Sequence, residues 1–283
     1  MRTTLQQPRQ VFGAASLRHP VIICGWTPAM PLEPTDFYRT HLAGLHRQLL
    51  ASTIVRTYLT GTGIRLDGVD LAPADHFELP FGLFSTVEFA HLFSIFDGSR
   101  VHQQAETSPN LDEAPPGLYF TIINPRLIES QHKNRLGVFM RADAGIDLFI
   151  EDMHIDHYYL SEHRAPPTLG TLAFTLCAIT AHLAGMGRIT LVAADGQGSN
   201  ARYVGAKVWP KLGFDASLQP GETADATHLA GCATVQDVMA QDAAWWAEHG
   251  TQRRMAFDLS ANSTSWRKLL PYAGRKVSDG SPS

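Results

Sequence analysis

The sequence predicts an α/β fold with a mixed sheet, and three observations lead to this prediction. Three runs typical of β-strands lie close together, at 118–123, 136–141 and 146–160. An apolar stretch with helical spacing follows at 169–183, and a further strand-like run occupies 188–194. Parallel neighbouring strands need a crossover connection, so strands 146–160 and 188–194 should lie side by side and parallel, with the helix as their link.

The N-terminal half contains fewer regular patterns. An apolar run at 21–24 predicts a buried strand, and apolar residues at three- and four-residue spacing predict a helix over 35–50. From 61 to 117 the pattern is irregular, apart from a candidate apolar helix at 84–96. This stretch is interpreted as an insertion or small lobe that enlarges the N-terminal half.

The C-terminal part predicts a helix over 200–212 and a late strand at 255–259. Residues 276–283 are rich in Ser, Gly and charge, which indicates a disordered tail. The domain prediction is one enlarged domain over 20–275, preceded by a segment of 1–19.

Composition and charge limit the classes of function. Hydrophobic residues make up 44% and charged residues 18% of the 283 residues, which is a globular composition. The net charge is −4 and no dense Lys/Arg cluster occurs, so nucleic acids and acidic membrane surfaces are not expected partners. No apolar run could span a membrane, and Gln and Arg interrupt the start where a signal peptide needs apolar residues. We therefore expect a cytoplasmic protein, unless a dedicated secretion system recognises it.

Several residues between 146 and 214 occur in a recognisable order. Gly170 begins the predicted helix, Gly185 follows fifteen positions later, and the strand Ile-Thr-Leu-Val-Ala-Ala comes next. Trp-Pro-Lys-Leu-Gly-Phe at 209–214 is close to a Tyr-x-x-x-Gly-Phe motif. Together these features resemble the core of the GNAT N-acetyltransferase superfamily, as a divergent member. The resemblance implies a GNAT-like fold and transfer of an acetyl or other acyl group from coenzyme A to an amine of a small molecule or protein.

The resemblance also implies where the cofactor binds. In that family, backbone N–H groups at the start of the helix hold the pyrophosphate, an anion site that suits the helix dipole. The loop here departs from the family pattern, because it is one residue longer and contains Pro166 and Pro167, and proline has no N–H donor. The residues that would bind acetyl-coenzyme A are Arg164, Thr168, Leu169, Gly170 and Thr171.

The ionisable residues of strand 146–160 are candidates for catalysis. Strand alternation predicts one face with Asp152, His154 and Asp156, and the opposite face with Glu151 and His157. Asp152 or His154 could accept the proton of the attacking amine. The family often uses a helix tyrosine as the acid, and Trp209 occupies that position here, so Tyr203 is the substitute candidate.

Two other classes of function remain open. The prolines and Trp209 are compatible with a binding protein of the same fold that has no catalytic activity. The cluster Asp152, His154, Asp156 and His157 resembles a metallo-hydrolase motif, although alternation would direct His157 away from the others, so no metal site is predicted. The three cysteines are isolated in apolar surroundings, which indicates free thiols.

Overall fold

The structure is a computed structural model that describes residues 34–79, 82–106, 114–129, 131–142, 149–194 and 204–279. The predicted strand at 21–24 and the candidate acid Tyr203 lie outside the described residues.

The described residues contain ten strands in two sheets. Eight of them form one sheet in the order β10-β9-β8-β7-β6-β5-β1-β2, and β3 and β4 form a separate hairpin. The strands are β1 Ile64–Leu66, β2 Val69–Leu71, β3 His76–Leu79, β4 Gly82–Ser85, β5 Arg100–Glu106, β6 Gly117–Ile123, β7 Asn134–Ala142, β8 Phe149–His157, β9 Arg188–Ala193 and β10 Arg253–Asp258. The sheet is mixed, because β8 pairs with β9, and β1 with β5, in parallel, whereas the other pairs are antiparallel.

The described helices vary widely in length. They are α1 Ala43–Ala51, α2 Thr53–Tyr58, α3 Thr86–Leu92, α4 Leu169–Leu183, α5 Gly205–Val208, α6 Val235–Gln241, α7 Ala243–His249 and α8 Thr264–Asp279. A π-helical turn, Tyr38–Leu42, precedes α1, and short 3₁₀ turns occupy Trp209–Leu212 and Thr227–Leu229. None of these helices is both long enough and apolar enough to cross a membrane.

Helix α4 is the centre of the core. Every residue from Leu172 to Thr180 is buried, as expected for a helix that is apolar on all sides. Helices α1, α2, α3 and α8 contact it. The prediction that α4 links two parallel neighbouring strands is confirmed, because β8 and β9 pair in parallel on either side of it in the chain.

Three features differ from the sequence-based expectations. The segment 61–117 supplies β1, β2 and β5 of the main sheet, and its candidate helix at 84–96 begins as strand β4 and becomes α3 only at Thr86. In the described part of the predicted helix at 200–212, the α-helix ends at Val208, and a 3₁₀ turn that contains Pro210 continues to Leu212, with Gly213 as its C-cap. Gly213 has a φ of 98°, and a Cβ there would lie 2.5 Å from the carbonyl oxygen of Ser265, so only glycine fits this contact.

Helix α8 continues to Asp279, past the expected start of the tail at 276, and buries Val277.

Candidate functional site

A cavity of about 1180 Å³ opens where β8 and β9 stop pairing. The two strands pair at Met153, His154 and Ile155, opposite Ile189, Thr190 and Leu191, and no further. Just beyond, β8 contains a bulge, because Ile155 and His157 face consecutive residues of β7 and leave Asp156 as an extra residue. A bulge bends its strand, which accounts for the loss of pairing with β9 at this point.

The cavity is bordered by residues from both faces of the sheet. Met153, Ile155, Ile189 and Leu191 belong to the core that α4 covers, so His154, between two of them, lies on the opposite face. Both His154 and Gly170, at the start of α4, line the cavity. The space between the strands therefore joins the helix side of the sheet to its opposite side.

Helix α5 forms another part of the wall. A Cβ at Gly205 would lie 2.9 Å from the backbone nitrogen of Ala194, and the N–H of Ala206 donates to the Ala194 carbonyl at 3.0 Å. The absence of a side chain at Gly205 thus lets α5 lie against the end of β9. Val204 and Val208 line the cavity with half-exposed side chains, which makes this wall apolar.

The start of α4 presents two backbone donors to the cavity. The N–H of Leu169 donates to Pro166, and the N–H of Leu172 makes the first helical bond, to Thr168. Thr168 is the N-cap and makes no side-chain capping bond. Among the described residues, nothing accepts the N–H groups of Gly170 and Thr171, and both residues line the cavity. At the start of a 15-residue helix, two such donors favour an anion.

Other residues predicted to bind the cofactor lie elsewhere. The Arg164 guanidinium donates to the carbonyls of Pro125 and Ile128 and to the Ser161 hydroxyl, at 2.6, 3.3 and 3.1 Å. Arg164 therefore fixes its loop to the turn after β6, and it does not line the cavity. Thr168 and Leu169 also lie outside the lining, and the side chain of Leu169 is buried in the core. Of the five predicted residues, Gly170 and Thr171 reach the cavity.

His154 is a buried, neutral imidazole on the cavity wall. Its Nδ1 lies 2.9 Å from the hydroxyl of Thr190, which donates its proton to the Met153 carbonyl at 3.0 Å. Because that hydroxyl has only one proton, the His154 Nδ1 must be the donor in their contact, and Nε2 then has the lone pair. Nothing in the described part of the chain hydrogen-bonds to Nε2. Burial, and to a lesser degree the charge of Arg254, lowers the pKa of His154 to about 4.

Asp152 forms a separate ionic cluster. Its side chain is fully buried, and Oδ2 accepts from the Nε atoms of Arg141 and Arg188 at 2.6 and 2.8 Å. We call these three residues the Asp152 cluster. Asp152 does not line the cavity. Of the two predicted bases, only His154 therefore has access to it.

Around the bulge lies a second group, the Asp156 cluster, which comprises Glu106, Arg135, Asp156 and His157. Arg135 bonds Asp156 and Glu106, each at 2.5 Å, and the ring of Tyr119 lies 4.1 Å from the Arg135 guanidinium carbon. His157 Nδ1 lies 3.2 Å from Asp156 Oδ2. Burial would raise the pKa of Asp156, but His157 and Arg135 outweigh burial and lower it to about 2. Asp156 therefore remains a carboxylate at neutral pH.

The expected opposite orientation of His157 is wrong. The bulge adds one residue to β8, so Asp156 and His157 are neighbours in one cluster, and both line the cavity. No glycine or proline in the sequence marks the bulge, so the sequence alone predicts strict alternation of the two faces here. Even so, among the described residues no group of three His, Cys, Asp or Glu side chains could hold a metal ion. The metallo-hydrolase alternative gains no support, because Arg135, Arg141 and Arg188 bond its two carboxylates.

Trp209 is part of the cavity wall and of an aromatic group. Its ring lies 5.9 Å from Tyr158, 5.8 Å from Phe174 and 5.2 Å from Phe214, all edge to face. These contacts explain why an indole is accommodated where the resemblance implies a tyrosine. Burial raises the pKa of Tyr158, the nearest described tyrosine of this group.

Comparison with protein-family models, curated proteins and solved structures gave no match in any of the three.

Proposed function

We propose that this chain transfers an acyl group, most simply acetyl, from coenzyme A to an amine of a small molecule or protein. One observation carries the proposal. One cavity connects the helix N–H donors of Gly170 and Thr171, for which the described part of the chain supplies no acceptor, with a neutral histidine on the other side of the sheet. An anionic cofactor and a general base are the two requirements of this reaction.

On the helix side, the N–H groups of Gly170 and Thr171 would bind the pyrophosphate of coenzyme A. The absence of a side chain at Gly170 allows a phosphate to approach the backbone closely. The thiol end of the cofactor would then extend between β8 and β9. Backbone N–H groups of β8 beyond Ile155, where β9 no longer pairs, would stabilise the oxyanion that forms on the thioester.

On the opposite side, His154 would act as the general base. The amine nitrogen attacks the thioester carbonyl carbon, the C–N bond forms and the C–S bond breaks. The amine proton passes to His154 Nε2, and the sulfur leaves as thiolate. A base that is already deprotonated at neutral pH suits this role, since it need not lose a proton first.

A non-catalytic binding protein is the second candidate. Pro166 and Pro167 remove two N–H donors from the loop before α4, which weakens the cofactor site relative to the family pattern. In this case acetyl-coenzyme A or another anion would bind without thiol release.

Two measurements separate these candidates. We expect calorimetric titration with acetyl-coenzyme A to show one site, and free thiol to appear when amines are screened as acceptors. Replacement of His154 with Gln should lower kcat by about 10²–10⁴-fold with the affinity for acetyl-coenzyme A retained. Binding without thiol release for any amine would favour the binding protein, and the absence of acetyl-coenzyme A binding would contradict the acyltransferase.

A further inference from the structure

Two half-exposed valines form one apolar wall of the cavity. Val204 and Val208 are 50% and 40% exposed, and they are two of the five large hydrophobic residues that are exposed in the described part of the chain. They lie four positions apart, at the N-cap of α5 and at its last residue, so their side chains are neighbours. Both line the cavity. Apolar side chains that are exposed side by side on a cavity wall indicate an apolar ligand.

The valine wall belongs to the helix side of the sheet. Trp209, which directly follows α5, packs edge to face against Phe174 of α4 at 5.8 Å. Gly170, at the start of α4, lines the same cavity. A Cβ at Gly170 would lie 3.1 Å from Leu160 Cδ1, so another apolar side chain of the wall lies beside the helix start. The valines are therefore on the side of the helix N–H donors, whereas His154 is on the opposite side.

This position indicates which substrate the wall contacts. In the proposed reaction the thioester enters from the helix side, and the amine enters from the side of His154. Coenzyme A is polar or charged along most of its length, so the acyl chain is the part of the thioester that an apolar wall suits. The cavity of about 1180 Å³ exceeds the range of about 300–1,000 Å³ that is usual for ligand sites, so it has room for more than an acetyl group.

We propose that Val204 and Val208 form the binding site of an acyl chain longer than acetyl. The inference rests on the proposed function, and it names the donor substrate as a medium-chain acyl thioester of coenzyme A. The chemical step is unchanged. The amine nitrogen bonds to the carbonyl carbon, the C–S bond breaks, His154 accepts the amine proton and the thiolate leaves.

A series of thioesters that differ only in chain length tests the proposal. The full chain is titrated calorimetrically with acetyl-, butyryl- and hexanoyl-coenzyme A. We expect Kd to fall by about tenfold at each step of two methylene groups, which is the contribution of burying two such groups. Equal affinities for the three thioesters would overturn the proposal.

Two variants of the wall separate contact with the acyl chain from contact with coenzyme A. The double variant Val204→Thr, Val208→Thr keeps the side-chain shapes and replaces a methyl group with a hydroxyl at each position. It should reduce each step to less than about threefold and keep the acetyl-coenzyme A affinity within about twofold of the wild-type value. Val208→Trp fills the space in front of the wall, so it should weaken hexanoyl-coenzyme A binding by at least about tenfold and acetyl-coenzyme A binding by less than about threefold. A double variant that keeps the wild-type steps, or that weakens all three thioesters equally, would contradict the proposal.

The matched control is Val87→Thr in α3. Val87 is a half-buried helix residue that does not line the cavity, so the same chemical change there should leave the wild-type steps intact. If affinity increases with chain length but no amine releases thiol, the acyl site holds and the binding protein is favoured over the acyltransferase. If none of the three thioesters binds, both the acyltransferase and the acyl site are contradicted.

Discussion

Among single residues, Thr190 determines which nitrogen of His154 can act as a base. The Thr190 hydroxyl donates to the backbone of one strand residue and accepts from the imidazole of the next, so the ring has a fixed orientation as well as a fixed tautomer. Burial then keeps the ring neutral. The Thr190 hydroxyl on β9 therefore determines that Nε2 of His154 on β8 has the free lone pair.

Replacement of Thr190 with Val removes the hydroxyl and keeps the side-chain shape. We expect kcat for acyl transfer to fall by up to about tenfold, the equivalent of one hydrogen bond, because the imidazole can then adopt either tautomer. Thr190→Ser should restore the wild-type rate. Long-range ¹H–¹⁵N NMR should show the Nδ1–H tautomer in the wild type and in the Ser variant. An Nε2–H tautomer in the wild type would contradict the role of Thr190.

Asp152 should contribute to stability rather than to catalysis. In Asp152→Asn, Arg141 and Arg188 would lose the carboxylate that both contact, so we expect the free energy of unfolding in urea to fall by about 3 kcal/mol. At a temperature where the variant is folded, kcat should remain within about threefold of the wild-type value. A large loss of kcat without a loss of stability would restore Asp152 as a candidate base.

Among the elements, the start of α4 is the part on which cofactor binding depends. We expect Gly170→Val to weaken acetyl-coenzyme A binding by at least about tenfold, since a side chain would obstruct the approach of phosphate to the two N–H donors. A Cβ at this position would lie 3.1 Å from Cδ1 of Leu160, a residue of the cavity wall, so the Leu160 side chain would have to shift by a few tenths of an ångström.

The control for this prediction is Gly274→Val in α8, where an added Cβ meets nothing within 4 Å. It makes the same chemical change within a helix and should leave the affinity unchanged. Calorimetric titration of both variants with acetyl-coenzyme A measures the two affinities. Equal affinities in the two variants, with both folded, would place the pyrophosphate elsewhere.

The sequence was most informative for elements with a strong local pattern. The bounds predicted for α4, 169–183, coincide with Leu169–Leu183, because its apolar residues are continuous and glycines follow it. The strands β1 and β2 are three residues long, too short for any periodic signal, which is why the segment from 61 resembled an insertion. The GNAT resemblance itself stays a prediction.

The site was less predictable because its geometry depends on residues distant in the sequence. Arg164 was expected at the cofactor, but it bonds carbonyl groups 36 and 39 positions earlier in the chain. Likewise, the bulge at Asp156 is defined by the register with β7, about twenty residues away. Alternation holds up to Ile155, so it directs His154 away from the core, and it fails immediately afterwards, at the bulge, so it gives the wrong orientation for His157.

For the molecule as a whole, the consequence of its buried and half-buried histidines is sensitivity to acid. Burial lowers the pKa of His46 and of His154 to about 4, and it also lowers the pKa of His91, which bonds the Leu59 carbonyl. These histidines lie on α1, α3 and β8, so both helices and the main sheet contain one. Each is neutral in the folded chain at a pH where an unfolded chain binds a proton.

We therefore expect the free energy of unfolding to decrease as the pH falls from about 6.5 to about 4. In this window the unfolded chain binds more protons than the folded chain, so stability is complete above the unfolded pKa and is lost toward the folded one. A shift from 6.5 to about 4 corresponds to about 3 kcal/mol for each of His46 and His154. Urea unfolding at pH 7, 6 and 5 measures how steeply the free energy of unfolding changes with pH.

In His46→Gln this pH dependence should be shallower, because Gln cannot take up a proton. The variant His228→Gln, at an exposed position, should keep the wild-type pH dependence. A stability that is constant between pH 7 and 5 would mean that these histidines are not buried in neutral form, and it would remove the basis for His154 as a base that is already deprotonated at neutral pH.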